Sequence, residues 1–125
     1  MKRWGALVKL GLIVVGCACS MSCGSSPSEP GGAATISIGP AGLAPAETRI
    51  RAWNHVTFVN NDTRPHVIVS DPIDVHDACP PINRVGLLNP GERRDTGTLT
   101  QTGACGFHDH SNQTDPALKG RIVVQ

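Results

Sequence analysis

Beyond Ala33 this chain of 125 residues is cut at short, regular intervals by turn residues, and the segments between the cuts are too short for helices but suit strands. The runs 34–38 (ATISI), 48–52 (TRIRA), 56–60 (VTFVN), 66–71 (HVIVSD), 85–88 (VGLL), 92–99 (ERRDTGTL), 103–109 (GACGFHD) and 119–125 (KGRIVVQ) alternate or are rich in β-branched residues. Between them fall the turn clusters Asn60-Asn61-Asp62 and Asn89-Pro90-Gly91, where proline presets φ and glycine accepts positive φ. The Pro- and Asp-rich segment 71–84 is expected to hold no regular element. The pattern predicts one all-β domain over 34–125, an antiparallel sandwich of about seven or eight strands.

Residues 1–22 read differently. Lys2, Arg3 and Lys9 precede the apolar run Leu10 to Val15, which then breaks into Gly, Ser and Cys. That is the pattern of an export signal, and the run is shorter than the roughly 20 apolar residues a membrane span needs. Val14-Val15-Gly16-Cys17 resembles a bacterial lipobox, so Cys17 is the expected lipid anchor; Cys23 is the alternative, with a longer apolar stretch before it but Ser20 at the −3 position. The following 23–33 segment, rich in Ser, Pro and Gly, reads as a flexible linker. The expected location is extracytoplasmic, anchored in the cell envelope or periplasm, with the membrane touched through the lipid alone.

Loss of Lys2, Arg3 and Lys9 leaves eight basic residues against ten acidic ones. So small an imbalance gives no basis for a nucleic-acid partner. Export matters more, because thiols oxidise outside the cytoplasm. Cys79 and Cys105, the only cysteines past residue 23, must therefore be a disulfide or metal ligands. Two tryptophans, two phenylalanines and no tyrosine make a light core, with Trp53 and Phe58 expected to anchor it. In so small a domain a crosslink between Cys79 and Cys105 would add on the order of 3 kcal/mol.

The order of motifs resembles the cupredoxins, the plastocyanin and azurin family of Greek-key β-sandwiches. The likeness runs from Ile36 to Gln125: VTFVNND-x-x-x-H (Val56 to His66), the turn NPGE (Asn89 to Glu92), the strand Gly103 to Phe107, and the terminal KGRIVV. In that family the first histidine ligand follows the Asn-Asn turn, where this chain has His66. The blue copper centre of the family adds a thiolate, a second histidine and a weak axial Met or Gln. One register supplies these as His66, Cys105, His108 (or His110) and Gln113.

A second register fits the strand better. Relatives read Gly-x-aromatic-x-Phe-x-Cys, with the aromatics and the cysteine on one face by the period of two. Setting Gly103 and Phe107 on the first glycine and the phenylalanine puts Cys105 at the first aromatic position and Asp109 in place of the copper cysteine. Leu118 then falls where azurin-like members carry an axial Met. This register implies a Cys79–Cys105 disulfide and a harder metal site of His66, Asp109, His108 and His110. Such a set suits copper, or zinc, and its affinity should fall below about pH 6 as imidazoles protonate.

His108 and His110 share a parity opposite to Phe107 and are expected to face outward or toward the loop mouth. His76 is expected in a loop, with a fourth-ligand role as the minor alternative, and His55 to be structural or exposed. Asp62, Asp71, Asp74 and Asp77 are read as solvated loop carboxylates. No nucleophile elbow, H-E-x-x-H or phosphate loop occurs, so no enzymatic chemistry is expected. The resemblance implies electron transfer or copper handling with an unknown redox or copper-handling protein as partner, the alternative being a metal-free cupredoxin-fold envelope module.

Overall fold

The computed structural model describes residues 33–125; Cys17, Cys23, the export signal and nearly all of the linker lie outside the described residues. Nine strands form two sheets: β1 (Ala34–Gly39), β2 (Gly42–Ala44), β3 (Glu47–Ile50), β4 (Val56–Asn60), β5 (His66–Ser70), β6 (Gly86–Leu88), β7 (Arg93–Asp95), β8 (Gly103–Asp109) and β9 (Lys119–Val124). One sheet has the order β2-β1-β4-β7 and the other β3-β9-β8-β5-β6, so the chain passes repeatedly from one layer to the other. Among the described residues no helix is long and apolar enough to cross a membrane.

The sandwich is all-β as expected, but both sheets are mixed rather than purely antiparallel. β1 runs parallel to β4 and β3 parallel to β9, because the crossings between layers return strands in the same direction. A short strand, β2, also forms between the expected strands 34–38 and 48–52. The segment 71–84 is not wholly irregular either: Pro80–Arg84 forms one 3-10 turn, started by prolines whose φ is already helical.

Isoleucines and valines alternate inward from both sheets, and Phe58 on β4 meets Phe107 on β8 edge to face at 5.0 Å. Phe58 is fully buried, as expected of a core anchor, whereas Trp53 is 76% exposed. Trp53 sits in the turn between β3 and β4 with φ +70°, its N–H donating to the Leu99 carbonyl, and that conformation turns the indole to solvent. The core rests on the two phenylalanines and the aliphatics instead.

Cys79 and Cys105 form the expected disulfide, spanning 26 residues. Cys105, Phe107 and Asp109 all point into the sandwich, as the second register implies, and Cys105 is buried. The disulfide fastens the segment after β5 to the inner face of β8, while Asp71 at the start of that segment lies against Gly106 and His108 on the outer face. That segment covers the face of β8 that carries Gly106 and His108.

Candidate metal centre

At the sandwich end where β5 and β8 pair, Ile68 lies opposite Asp109 and Val69 opposite His108. Alternation sends these two neighbouring residues to opposite faces of one strand, and two separate polar constellations result.

The inner constellation holds His66 and Asp109. His66 Nδ1 lies 2.7 Å from Asp109 Oδ2, and His66 Nε2 lies 3.1 Å from Asp62 Oδ2. Each ring nitrogen faces a carboxylate oxygen, so both are already engaged within the protein. Asp109 Oδ1 accepts from the backbone N–H groups of Val67 and Ser111, the second bond capping the 3-10 turn His110–Asn112. His66, Asp62 and Asp109 are all buried. Asp62 is therefore no solvated loop carboxylate; the His66 imidazole and Arg64 compensate its burial.

Burial alone pushes the Asp62 carboxyl upward, but the Thr63 backbone N–H, Arg64 and His66 all donate to it and hold it below the ordinary carboxylate range. With the folded value below the unfolded one, this carboxylate favours the fold above about pH 4, and the contribution fades as acid protonates it. Asp62→Asn should accordingly be less stable than the wild-type protein at neutral pH. The gap should close as the pH falls through the acid range in paired denaturation curves; a gap independent of pH would contradict the assignment.

The outer constellation was only partly legible. His108 shares the expected parity, yet it is fully buried, because the disulfide-tied segment lies over it. Its Nδ1 donates to Asp71 Oδ1 at 2.6 Å, leaving Nε2 as the free lone pair. His76, on the covering segment, and His110, on the capped turn, converge with His108 so that one ring nitrogen of each lies within 4.8 Å of the others. The ring centroids are 4.9 to 6.0 Å apart. Nε2 of His76 and of His108 are buried and have no hydrogen-bond partner.

Such orphaned buried nitrogens are costly unless something binds them. Metal–nitrogen bonds of about 2.0–2.1 Å bring tetrahedral donors to roughly 3.3 Å of one another, so binding would draw the three rings together from their separation of up to 4.8 Å. Three neutral imidazoles, one oriented by a carboxylate behind it, fit copper or zinc.

The structure thus divides the expected His66–Asp109–His108–His110 set. Asp109 and His66 bond to each other, while His108 and His110 belong with His76, since consecutive residues of a strand cannot share a face. The alternative blue-copper set is excluded, because Cys105 has its sulfur committed to Cys79. In that set Gln113 was the axial ligand; here it lies 3.0 Å from His110 Nδ1.

Two contributors escaped sequence reading. Asp71 is one of them, and Gly106 is the other: a Cβ at Gly106 would collide with the Asp71 carboxylate. Glycine in the middle of a strand was the available signal, since it often marks close approach of another group. Asp71→Ala is expected to weaken metal binding about 10–100-fold by freeing the His108 ring, and Gly106→Ala to act in the same direction. Titration calorimetry on the folded variants checks both; unchanged affinity would remove Asp71 from its supporting role.

No family model matches the chain, and no curated protein sequence does. Solved structures match it in fold. A purple cupredoxin from Nitrosopumilus maritimus is 24% identical with a TM-score of 0.58, covering 74% of this chain and 99% of its own. A copper(I) form of an amicyanin variant is 17% identical with a TM-score of 0.58, over 75% and 83%. Oxidised plastocyanin from Dryopteris crassirhizoma is 17% identical with a TM-score of 0.55, over 73% and 99%. The likeness shows the architecture, a cupredoxin-like β-sandwich.

Proposed function

On the cupredoxin-like sandwich shared with these structures, we propose a metal-binding domain that holds copper through His76, His108 and His110, acting in copper handling outside the cytoplasm. The observation that carries this reading is the pair of buried, unpartnered imidazole nitrogens on His76 and His108, facing a third histidine. The copper(I) of the amicyanin neighbour makes copper the first ion to test, with zinc as the second. The disulfide and the export signal support an oxidising location, and Cys17, or else Cys23, would tether the domain to a membrane.

Copper handling is favoured over electron transfer by the donor set. Rapid electron transfer is served by a constrained thiolate centre, and past residue 23 both cysteines are locked together. Three imidazoles with one member exposed make a harder site, suited to taking up and releasing a divalent ion. His76 would close the site from the covering segment, His108 would form its buried floor, Asp71 would hold the proton on His108 Nδ1, and His110 would meet solvent.

The test is competition titration of the full chain with copper(II) against a chelator of known affinity. One ion per chain is expected, without the intense visible colour of a copper–thiolate bond. His76→Ala should weaken it by at least about a hundredfold, beyond the cost of losing a supporting carboxylate. No binding, or binding indifferent to His76, would overturn the reading.

A further inference from the structure

The disulfide stands in a symmetrical relation to two of the three histidines. His76 lies three residues before Cys79, and His108 lies three residues after Cys105. The one covalent link between the two ligand-bearing segments is thus adjacent to both. We infer that the Cys79–Cys105 bond gates metal retention: the oxidised protein holds the ion, and reduction of the bond releases it. This inference rests on the three-histidine site proposed above.

His76 is held in a conformation it would not readily choose. Its φ is +54°, the left-handed region that side chains other than glycine occupy at a cost and keep only when their surroundings over-determine it. Its N–H donates to the Pro72 carbonyl, and its own carbonyl accepts from Asn83. Those bonds lie within the covering segment and the 3-10 turn that follows. Across β8 the segment is fastened at three points, the disulfide, the Asp71 N–H to Gly106 carbonyl bond and the Asp71–His108 pair, and the Ala78 and Cys79 N–H groups tie it to the Asp71 carbonyl and Ser70 Oγ at the end of β5. Cutting the disulfide removes the only covalent one of the three.

The sulfurs can be reached. Cys79 is half-buried, and with Cys105 it lines a surface cavity of about 140 Å³ between Pro80–Pro81 on one side and Leu99–Gln101 on the other. A protein dithiol supplies the two electrons. Its thiolate attacks the Cys79 sulfur, the Cys79–Cys105 bond breaks, and Cys105 leaves as a thiolate that takes a proton. The second thiol of the reductant, deprotonated, then displaces Cys79, which is protonated in turn, and the reductant departs as its own disulfide. The covering segment is then held by hydrogen bonds alone, whose opening moves His76 away from His108. If His76 is in place a tenth of the time, the affinity falls about tenfold.

Zinc is the probe, since it takes no part in redox chemistry. Its affinity is measured by chelator competition on the oxidised full chain and on the C79S/C105S variant, which offers no thiol of the domain to the ion. The expected result is one zinc per oxidised chain and at least about tenfold weaker binding by the folded variant. Equal affinities in two folded proteins would overturn the gate while leaving the metal site standing, whereas absence of zinc binding by the oxidised chain would overturn both. Should the variant fail to fold, hydrogen exchange decides the matter on the wild-type protein reduced with a trialkylphosphine. Faster exchange at 75–79 with β5 and β8 still protected supports the gate, and unchanged protection at 75–79 overturns it.

Discussion

His66→Ala is expected to cost roughly 1–3 kcal/mol of stability, the range for leaving buried polar groups without a partner, while leaving the metal affinity of the folded protein unchanged. The loss arises because one imidazole serves two buried carboxylates, Asp109 at 2.7 Å and Asp62 at 3.1 Å. Without it Asp109 keeps its two backbone donors and Asp62 keeps Arg64, but two negative charges then face each other across the vacated space. Denaturant unfolding measures the first half of this expectation and copper titration the second. A His66→Ala protein that folds normally but no longer binds metal would return the ligand corner to His66.

His108→Ala is expected to do the reverse at the site, lowering metal affinity by at least about a hundredfold, more than a lost supporting carboxylate would. His108 is the one fully buried member of the trio, and it alone has a carboxylate fixing its tautomer. Alanine there removes the floor of the site and leaves Asp71 with no ring to orient. His108→Gln tests the same point more gently: it preserves volume and a polar end but provides no imidazole lone pair. Both variants should keep the disulfide, because Cys105 lies on the opposite face of β8. If either binds copper as tightly as the wild-type protein, the trio is not the site.

The layers of the fold were readable because short β-rich runs are bounded by turn residues: Val56–Asn60 and Gly103–Asp109 are strands with the bounds their patterns give. Laid on the strand pattern of the cupredoxins, the period of two puts Cys105, Phe107 and Asp109 on one face, and that resemblance is what implied the disulfide the structure contains. Alternation says nothing about which strands end up side by side, and so the two parallel pairings were not foreseeable. Trp53 went astray for a local reason: the size of its side chain argues for the core, but the backbone at φ +70° decides where the ring points.

The site was legible in pieces. Parity separates His108 from Asp109, so a set containing both was in tension with the alternation used to build it. His76 and Asp71 sit in a segment with no periodicity, and only the tertiary path, pulled across β8 by Cys79, brings them to His108. A carboxylate in such a segment reads as solvated until a buried imidazole is found beside it. Gly106, in contrast, lay in plain view as a glycine between Cys105 and Phe107, marking the place where another group approaches the strand.

The most direct measurement is a zinc titration of the full chain labelled with 15N at histidine, read by long-range proton–nitrogen correlation of the five imidazoles. Saturation should move the ring nitrogens of His76, His108 and His110 at one equivalent, with those of His66 and His55 staying in place. Movement of the His66 nitrogens together with His108, and none at His76, would contradict the three-histidine centre.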